Sequence, residues 1–327
     1  MDNHSGRSPV PVDAYLSLLG TMAFFGSAFA SSKVVVEQVP HQVAAVLRFG
    51  GGALILLVIA AAMSRRRPDA PRLSWRQVVR CGLVGLLGVF AYNMFFFWGL
   101  TKAPSIDGSI IVPVLSPVLT TGALMVTRAE RTTRSRAVGL VLGLLGALVF
   151  FLGIDEVGGL GSSRIAGELL FLLGAVAWAA YSIASKRVLV GMDPLRATTV
   201  ATTIGALFLL IFAVPAVSDT DWGALSGTVL ANVIYLAIGP TAVAYLLFYR
   251  GLSKVSPSTA TVMMFAVPVF GIACSVLFLG ESFTAWQIIG SLIMLMGALL
   301  AVNPRAVAGR SARVPSTREL ESAGDVR

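Results

Sequence analysis

The chain contains one apolar segment twice, and this repeat constrains the fold more than any other feature of the sequence. Residues 117–148 read PVLTTGALMVTRAERTTRSRAVGLVLGLLGAL, and residues 268–299 read PVFGIACSVLFLGESFTAWQIIGSLIMLMGAL. Both copies begin with Pro-Val, carry a Glu thirteen residues after that Pro and a Gly nine residues after the Glu, and end in Gly-Ala-Leu. The same order of residues indicates that two similar structural units follow one another.

Two further pairs of segments extend the repeat over most of the chain. Residues 20–40 align without gaps with residues 174–194, and residues 95–105 align with residues 247–257. The order of the three pairs is the same in both halves. The sequence therefore predicts two copies of one unit, which differ by small changes in loop length.

Ten apolar runs occupy most of the sequence. A membrane-spanning helix needs about 20 apolar residues, and 56% of this chain is hydrophobic while only 13% is charged. The predicted spans are 14–32, 42–63, 79–100, 104–127, 135–153, 166–186, 196–217, 224–248, 257–280 and 284–302. Because a backbone in lipid must satisfy its own hydrogen bonds, and the runs lack the alternating pattern of a β-barrel, they are predicted to be helices.

Each copy of the repeat holds five spans. Successive spans cross in opposite directions and five is an odd number, so the second copy starts on the opposite side of the membrane. The predicted fold is an all-α polytopic membrane protein with ten transmembrane helices in two inverted five-helix repeats. Its predicted divisions are an N-terminal tail at 1–13, a first repeat at 14–153, an outer linker at 154–165, a second repeat at 166–302 and a disordered tail at 303–327.

The basic residues predict the orientation of the chain. All but four of the 25 Lys and Arg residues fall on one side of the predicted topology, the exceptions being Lys33, Lys102, Arg164 and Arg48. Cytoplasmic loops carry the excess of Lys and Arg, so both termini are expected in the cytoplasm of a multi-pass cell-membrane protein. The net charge of +9 is then an orientation signal, and no nucleic-acid partner is expected.

The sequence offers few ligands for a metal or a cofactor. It has only two Cys and two His residues, and Cys81 and Cys274 lie within or beside apolar runs. A zinc site needs three or four such ligands together, and the sequence lacks the Walker A motif of ATP-driven proteins. We therefore predict no metal, no cofactor and no ATP hydrolysis by this chain.

Three stretches resemble a known family. LGESFTAWQIIGSLIMLMGALLAV at 279–302 is similar to the closing signature of EamA-type carriers, which belong to the ten-helix branch of the drug/metabolite transporter superfamily. Leu-Arg-Phe at 47–49 and Gly-Glu-Leu-Leu…Ala-Trp-Ala at 167–179 are also similar to that family. The resemblance covers about 14–302 and implies an exporter of metabolites, amino acids or toxic compounds. One departure is Phe-Phe-Gly at 24–26, where the family usually has a Trp.

Helix-breaking residues occupy matched positions in the two repeats. Pro117 matches Pro268, and Gly88 matches Pro240. Proline removes a backbone donor and kinks a helix, and matched breaks in two halves of a transporter point to its binding site. These four residues are predicted hinges around a central cavity, although packing kinks that happen to match are an alternative.

Polar and aromatic side chains near these breaks are candidate substrate contacts. They are Asn93, Tyr245, Trp178, Arg48, Tyr92 and Tyr235. Asn93 and Tyr245 are repeat partners and are predicted at equal depth, while Trp178 lies mid-span, away from the interfaces that tryptophans prefer. Hydrogen bonding between helices is the alternative role for the amide and the phenols.

Charged residues within or beside the spans have competing interpretations. Arg48 lies inside the second span, where a charge indicates function. It is expected to bind a substrate carboxylate, to snorkel to the interface, or to pair with Glu37 or Asp107. Glu168 is expected to open the sixth helix, where the helix dipole favours an acid, with proton transfer as the alternative.

Two acids occupy equivalent positions before the last span of each repeat. Glu130 and Glu281 precede the fifth and tenth spans and are expected in the first turns of those helices.

The predicted function is a secondary transporter, not an enzyme, that moves a small organic solute outward through the lipid bilayer by alternating access. A passive facilitator or channel is the first rival, and a polytopic membrane enzyme is the second. The sequence leaves proton coupling and a homodimer open.

Overall fold

The computed structural model describes residues 12–66, 73–127, 134–152, 161–188, 192–252, 263–282 and 284–302. The predicted tail at 303–327, nearly all of the predicted tail at 1–13 and most of the predicted linker at 154–165 lie outside these residues.

Ten helices and no strand make up the regular structure of the described residues. They are α1 (Val12–Val36), α2 (His41–Arg66), α3 (Trp75–Lys102), α4 (Ser105–Val126), α5 (Arg134–Leu152), α6 (Gly161–Val188), α7 (Pro194–Val217), α8 (227–252), α9 (Met264–Leu279) and α10 (Ala285–Val302). Each predicted span coincides with one helix, which confirms the predicted all-α fold. Seven helices are long and apolar enough to cross a membrane, and α5, α9 and α10 contain shorter apolar stretches.

The distribution of large apolar side chains fits a protein embedded in lipid. Phe97, Phe150 and Phe171 are fully buried between helices. In contrast, Leu277 and Phe278 are more than three-quarters exposed. Apolar surface of this kind is unfavourable in water and favourable against hydrocarbon, so the outer surface of the bundle is suited to a bilayer.

The helix contacts repeat with a shift of five helices. Helix α1 packs against α8 and α9, and its counterpart α6 packs against α3 and α4. Helix α2 packs against α8, as α7 packs against α3, while α5 and α10 pack against each other. The two repeats are therefore arranged around each other in an equivalent way, as an inverted pair requires.

Helices α5 and α10 approach each other through glycines. Gly146 faces the backbone at Gly290 and Met294, and Gly143 faces Gly297. A Cβ atom at Gly146, Gly290 or Gly297 would collide with the opposite backbone. Lipid provides no hydrophobic driving force for helices to associate, so small residues that allow close packing take that role. These two helices therefore form a fixed structural pair.

Helices α3 and α8 are irregular at matched positions. Residues Leu86–Ala91 of α3 and Ala237–Val243 of α8 form π-helical turns. Gly88 lies within the first segment and Pro240 within the second, so the predicted weak points fall on the irregular backbone. Such π segments are frequently found at functional sites.

The other two predicted breaks differ from one another. Helix α9 begins with the 3₁₀ turn Met264–Ala266, which ends two residues before Pro268. Helix α4 stays α-helical through Pro113 and Pro117, so its backbone is not interrupted in this conformation, and a hinge at Pro117 stays a prediction. Transmembrane helices tolerate proline where neighbouring groups satisfy the backbone.

Candidate functional site

Arg48 projects from α2 into the interior between the two repeats. Its side chain is only 8% exposed, and its Nε has no hydrogen-bond acceptor. The phenol groups of Tyr92, Tyr235 and Tyr245 lie close enough to interact electrostatically with the guanidinium. Since the three tyrosines come from α3 and α8, the folded protein brings together side chains that are up to 197 residues apart in the sequence.

Two groups of aromatic side chains flank this position. The first, which we call the α1/α8 aromatic group, consists of Phe24, Phe25, Tyr235 and Tyr245. Phe24 and Tyr235 have ring centroids 6.2 Å apart, and Phe25 meets Tyr245 edge-on at 6.0 Å. The Tyr235 hydroxyl also lies 2.6 Å from the hydroxyl of Ser27. These contacts fix the two tyrosines of α8 against α1.

The second group, the α3/α6 aromatic group, consists of Tyr92, Phe96, Trp178 and Tyr181. Trp178 lies between the two tyrosines, with centroids 5.0 Å from Tyr92 and 5.1 Å from Tyr181. Tyr92 in turn stacks on Phe96 at 5.7 Å. Trp178 therefore lies in the interior of the bundle, as its mid-span position in the sequence suggested, and it contacts a predicted site residue.

The tyrosines near Arg48 border an internal space. Tyr92 and Tyr245 lie deep within the protein, yet each keeps part of its surface accessible. We interpret accessible surface at this depth as the wall of a gap between the helices. We call this space the central chamber and define it by Arg48, Tyr92, Trp178, Tyr235 and Tyr245.

Asn93 is the predicted site residue that the structure does not place in this contact network. Its amide nitrogen donates to the Val89 carbonyl of its own helix at 2.8 Å, and its Oδ1 is buried without a partner. Asn93 and Tyr245 each follow a π-helical segment at the second position, so their matched placement in the repeat is visible in the backbone. A role for Asn93 in binding stays a prediction.

Glycines let the helices around the chamber approach closely. Gly88 of α3 lies against the ring of Tyr181, and Gly52 of α2 lies against Thr241 in the π segment of α8. A Cβ atom at either glycine would overlap its neighbour. The irregular segments of α3 and α8 are therefore held directly against helices of the opposite repeat.

A second polar constellation lies at the end of the bundle where α4 begins. Glu281, in the turn between α9 and α10, accepts hydrogen bonds from the backbone N–H groups of Ser105 and Ile106 at 2.8 and 2.7 Å. It thus caps α4 and satisfies its free amides. The expectation that Glu281 opens α10 is wrong, because Gly280 (φ 65°) ends α9 in a turn that directs the acid to the neighbouring helix.

Asp107 and Arg164 form a buried ion pair next to this cap. The Nε and Nη2 atoms of Arg164 each donate to one Asp107 oxygen at 2.9 Å, and Gln287 donates to Asp107 at 3.1 Å. Arg164 is 2% exposed and Asp107 is fully buried. The proposed pairing of Asp107 with Arg48 is therefore wrong. We call Ser105, Asp107, Arg164, Glu281 and Gln287 the α4 polar cluster.

Glu168 lies beside the same ion pair. Because α6 begins at Gly161, Glu168 does not open the helix as expected but lies two turns further on. Its Oε1 is 3.4 Å from the Nε of Arg164, and neither of its buried oxygens has a hydrogen-bond partner. Two carboxylates therefore share one guanidinium. No sequence pattern predicts this arrangement, because Arg164, which brings the two acids together, was expected in an outer loop.

Lys33 adds a further contact at this end of the bundle. Its ammonium group donates to the carbonyls of Leu100 and Ala103 at 2.6 and 3.2 Å, where α3 ends. A cation there stabilises the negative end of the helix. The turn between α3 and α4 is thus fixed from both sides, by a lysine of α1 and by Glu281.

Comparisons with known proteins place this architecture in a family. The EamA-like transporter family matches the chain twice, at residues 13–152 and 165–303. One solved protein structure superposes on it with a TM-score of 0.61 at 23% identity, covering 91% of this chain and 99% of the other, so the two share a fold.

Several curated relatives extend over most of the chain. The uncharacterized transporter YyaM of Bacillus subtilis (strain 168) is 25% identical over 292 residues, which cover 89% of this chain and 93% of that protein. The probable terminal-alkyne amino-acid exporter of Streptantibioticus cattleyicolor is 24% identical over 306 residues, or 93% and 98% of the two chains. These matches confirm the resemblance seen in the sequence: the protein is a membrane transporter of the drug/metabolite transporter superfamily and belongs to the EamA-like transporter family.

Proposed function

We propose that this transporter exports a small organic solute by alternating access and that the central chamber is its solute site. The position of the chamber carries the proposal. Arg48 and Tyr92 belong to the first repeat, whereas Trp178, Tyr235 and Tyr245 belong to the second. In transporters built from inverted repeats, a site between the repeats is exposed to one side and then the other as the repeats rock against each other.

The α4 polar cluster supports the alternating part of the proposal. It ties α4 of the first repeat to α6, α10 and the α9–α10 turn of the second. Hydrogen bonds across the repeats at one end are what a conformation closed at that end requires. The asymmetry of Lys and Arg supports assigning this end to the outside. We therefore propose that this conformation is closed to the outside of the cell membrane, with both termini in the cytoplasm.

The direction of transport and the kind of solute draw on the relatives. One relative that covers most of the chain is named as an amino-acid exporter. The chamber combines aromatic rings with a guanidinium and tyrosine hydroxyls, which suits a small organic molecule with an apolar part and a polar group. Export of such a compound is therefore the function that this site supports best.

Glu168 is the group that we propose for proton coupling. Asp107 and Glu168 face a single guanidinium, and the nearby charges of Lys33 and Glu281 offset each other. These five groups together therefore carry one surplus negative charge unless a carboxyl binds a proton. Opening of this end would bring Glu168 into contact with water. Solute efflux from proteoliposomes should then respond to a pH gradient, and Glu168→Gln should remove that response while efflux itself continues.

Efflux from proteoliposomes tests the transporter proposal. A labelled panel of amino acids, organic acids and neutral metabolites is loaded, and the initial efflux rate is measured against internal concentration. A carrier with one site saturates and shows exchange between internal and external solute. A rate that rises linearly with concentration, together with single-channel conductance, would instead establish the passive channel.

A further inference from the structure

Arg48 is a buried cation without a counterion among the residues that the structure describes. Its Nε is enclosed and has no acceptor, and no ion pair in the described part of the chain includes it. The two fully buried acids, Asp107 and Glu168, lie beside Arg164 instead. An ion removed from water without a partner is strongly unfavourable, so a guanidinium at this place is suited to an anion that the described residues do not supply.

The immediate surroundings of Arg48 hold the guanidinium in place without neutralising it. Its Cζ lies 4.9 Å from the ring centroid of Phe49 and 5.8 Å from that of Phe96. Aromatic rings at these distances attract a cation but leave its N–H groups unpaired. A planar guanidinium that is oriented in this way matches the two oxygens of a carboxylate.

The walls of the central chamber specify the rest of the ligand. Trp178 and Tyr92 contribute two rings that contact each other, and Tyr235 and Tyr245 contribute two more, each packed on a phenylalanine of α1. Stacking on such rings favours an aromatic or apolar body. Arg48 is the one charged side chain among the residues that define the chamber, so a cationic ligand would meet repulsion and no counterion.

We infer that the central chamber binds a small organic anion, with its carboxylate on Arg48 and its aromatic or apolar body between the α1/α8 and α3/α6 aromatic groups. The inference rests on the transporter function proposed above and adds the substrate class. The tyrosine hydroxyls next to Arg48 supply further donors to the carboxylate, and a single cation matches a single negative charge.

Equilibrium binding to the purified full-length protein in nanodiscs tests this inference without requiring transport. The probe is radiolabelled phenylacetate, and the competitors are unlabelled phenylacetate, phenylacetamide, phenethylamine and phenyl phosphate. They share one ring and differ in the charged group. Phenylacetate should compete at least about tenfold better than the amide and the amine, since a hydrogen bond to a charged group contributes more than a neutral one.

Variants of the protein test whether Arg48 is the source of the preference for the acid. Arg48→Gln should weaken phenylacetate binding by about tenfold or more and remove the preference for the acid over the amide, whereas Arg48→Lys should keep part of both. Arg80→Gln is the matched control, because Arg80 is an exposed arginine of α3, and it should bind like the wild type. Comparison of the competitors on the wild-type protein decides the question even if Arg48→Gln fails to fold.

Three results would overturn the inference. They are equal competition by the amide and the acid, stronger competition by phenyl phosphate, and no competition by phenylacetate at millimolar concentration. The proposed function fails in a different way, through a wild-type protein that binds phenylacetate but shows no saturable flux of any solute.

Discussion

Replacement of Arg164 by Met should destabilise the protein more than any other single change in the α4 polar cluster. The change removes both 2.9 Å hydrogen bonds to Asp107 and the cation beside Glu168. Asp107 then keeps only the bond from Gln287. Breaking a buried pair by removing one partner costs about 3–5 kcal/mol of unfolding free energy, and the upper part of this range is expected because two carboxylates lose their counterion.

Two further variants, Asp107→Asn and Glu168→Gln, should cause progressively smaller losses of unfolding free energy. Asp107→Asn keeps one oxygen as an acceptor, and Arg164 can close on Glu168, so the loss should be about 1.5–3 kcal/mol, as for one hydrogen bond to a charged group. Glu168→Gln removes a carboxylate whose oxygens have no hydrogen-bond partner and leaves the Asp107–Arg164 pair intact. Its effect should stay below about 1 kcal/mol.

Equilibrium unfolding in mixed detergent micelles, followed by far-ultraviolet circular dichroism, measures the three free energies. The order of loss should be Arg164→Met, then Asp107→Asn, then Glu168→Gln. If Glu168→Gln destabilised the protein as much as Arg164→Met does, Glu168 would be the main partner of Arg164 and the proposed charge arrangement would be wrong. An Arg164→Met protein of wild-type stability would equally refute it.

Three further predictions concern other parts of the bundle. Glu281→Gln should lower the unfolding free energy by about 1–2 kcal/mol through loss of a charge-assisted helix cap, and a wild-type value in the same micelle assay would argue that the cap is not important. Gly290→Leu should prevent the close approach of α5 and α10 and sharply reduce the yield of folded protein, measured by size-exclusion chromatography. Gly161 has open space around it, so Gly161→Leu should leave the yield unchanged. Equal yields of the two variants would contradict the packing argument. Asn93→Ala and Tyr245→Phe should each lower solute flux per folded protein with nearly unchanged abundance, and normal flux in both would move the solute site elsewhere.

The helices were predictable because the hydrophobic pattern decides them. Ten apolar runs became ten helices, and the repeat predicted which helices pack in equivalent ways. The start of α3 was placed at residue 79, whereas the helix begins at Trp75. The signal was present, since Ser74 and Gln77 form a reciprocal capping box with bonds of 2.8 and 3.4 Å, a pattern that can be read from Ser-x-x-Gln.

The site was partly predictable for a related reason. Arg48, Tyr92 and Tyr245 stand out because polar and charged side chains at mid-membrane depth are unfavourable unless they are used or paired. Trp178 stands out because tryptophans prefer the membrane interfaces. The α4 polar cluster was not predictable, because Asp107 meets Arg164 only after α4 and α6 have packed together. Nothing in the spacing of these residues, or in the repeat, links them before the fold exists.

Distance measurement across the two ends of the bundle tests the alternating-access mechanism most directly. In a background where Cys81 and Cys274 are replaced by Ser, one protein carries spin labels at the exposed positions Thr101 and Ser282, on either side of the α4 polar cluster. A second protein carries them at Thr127 and Met263, at the opposite end. Pulsed electron–electron double resonance in nanodiscs then gives the two distance distributions.

The mechanism predicts two populations at each end that change in opposite directions. Glu281→Gln, which weakens the closure of the α4 end, should increase the long-distance population for positions 101 and 282 and the short-distance population for positions 127 and 263. Single, unchanged distances at both ends in a protein that still transports solute would contradict alternating access and favour a fixed channel.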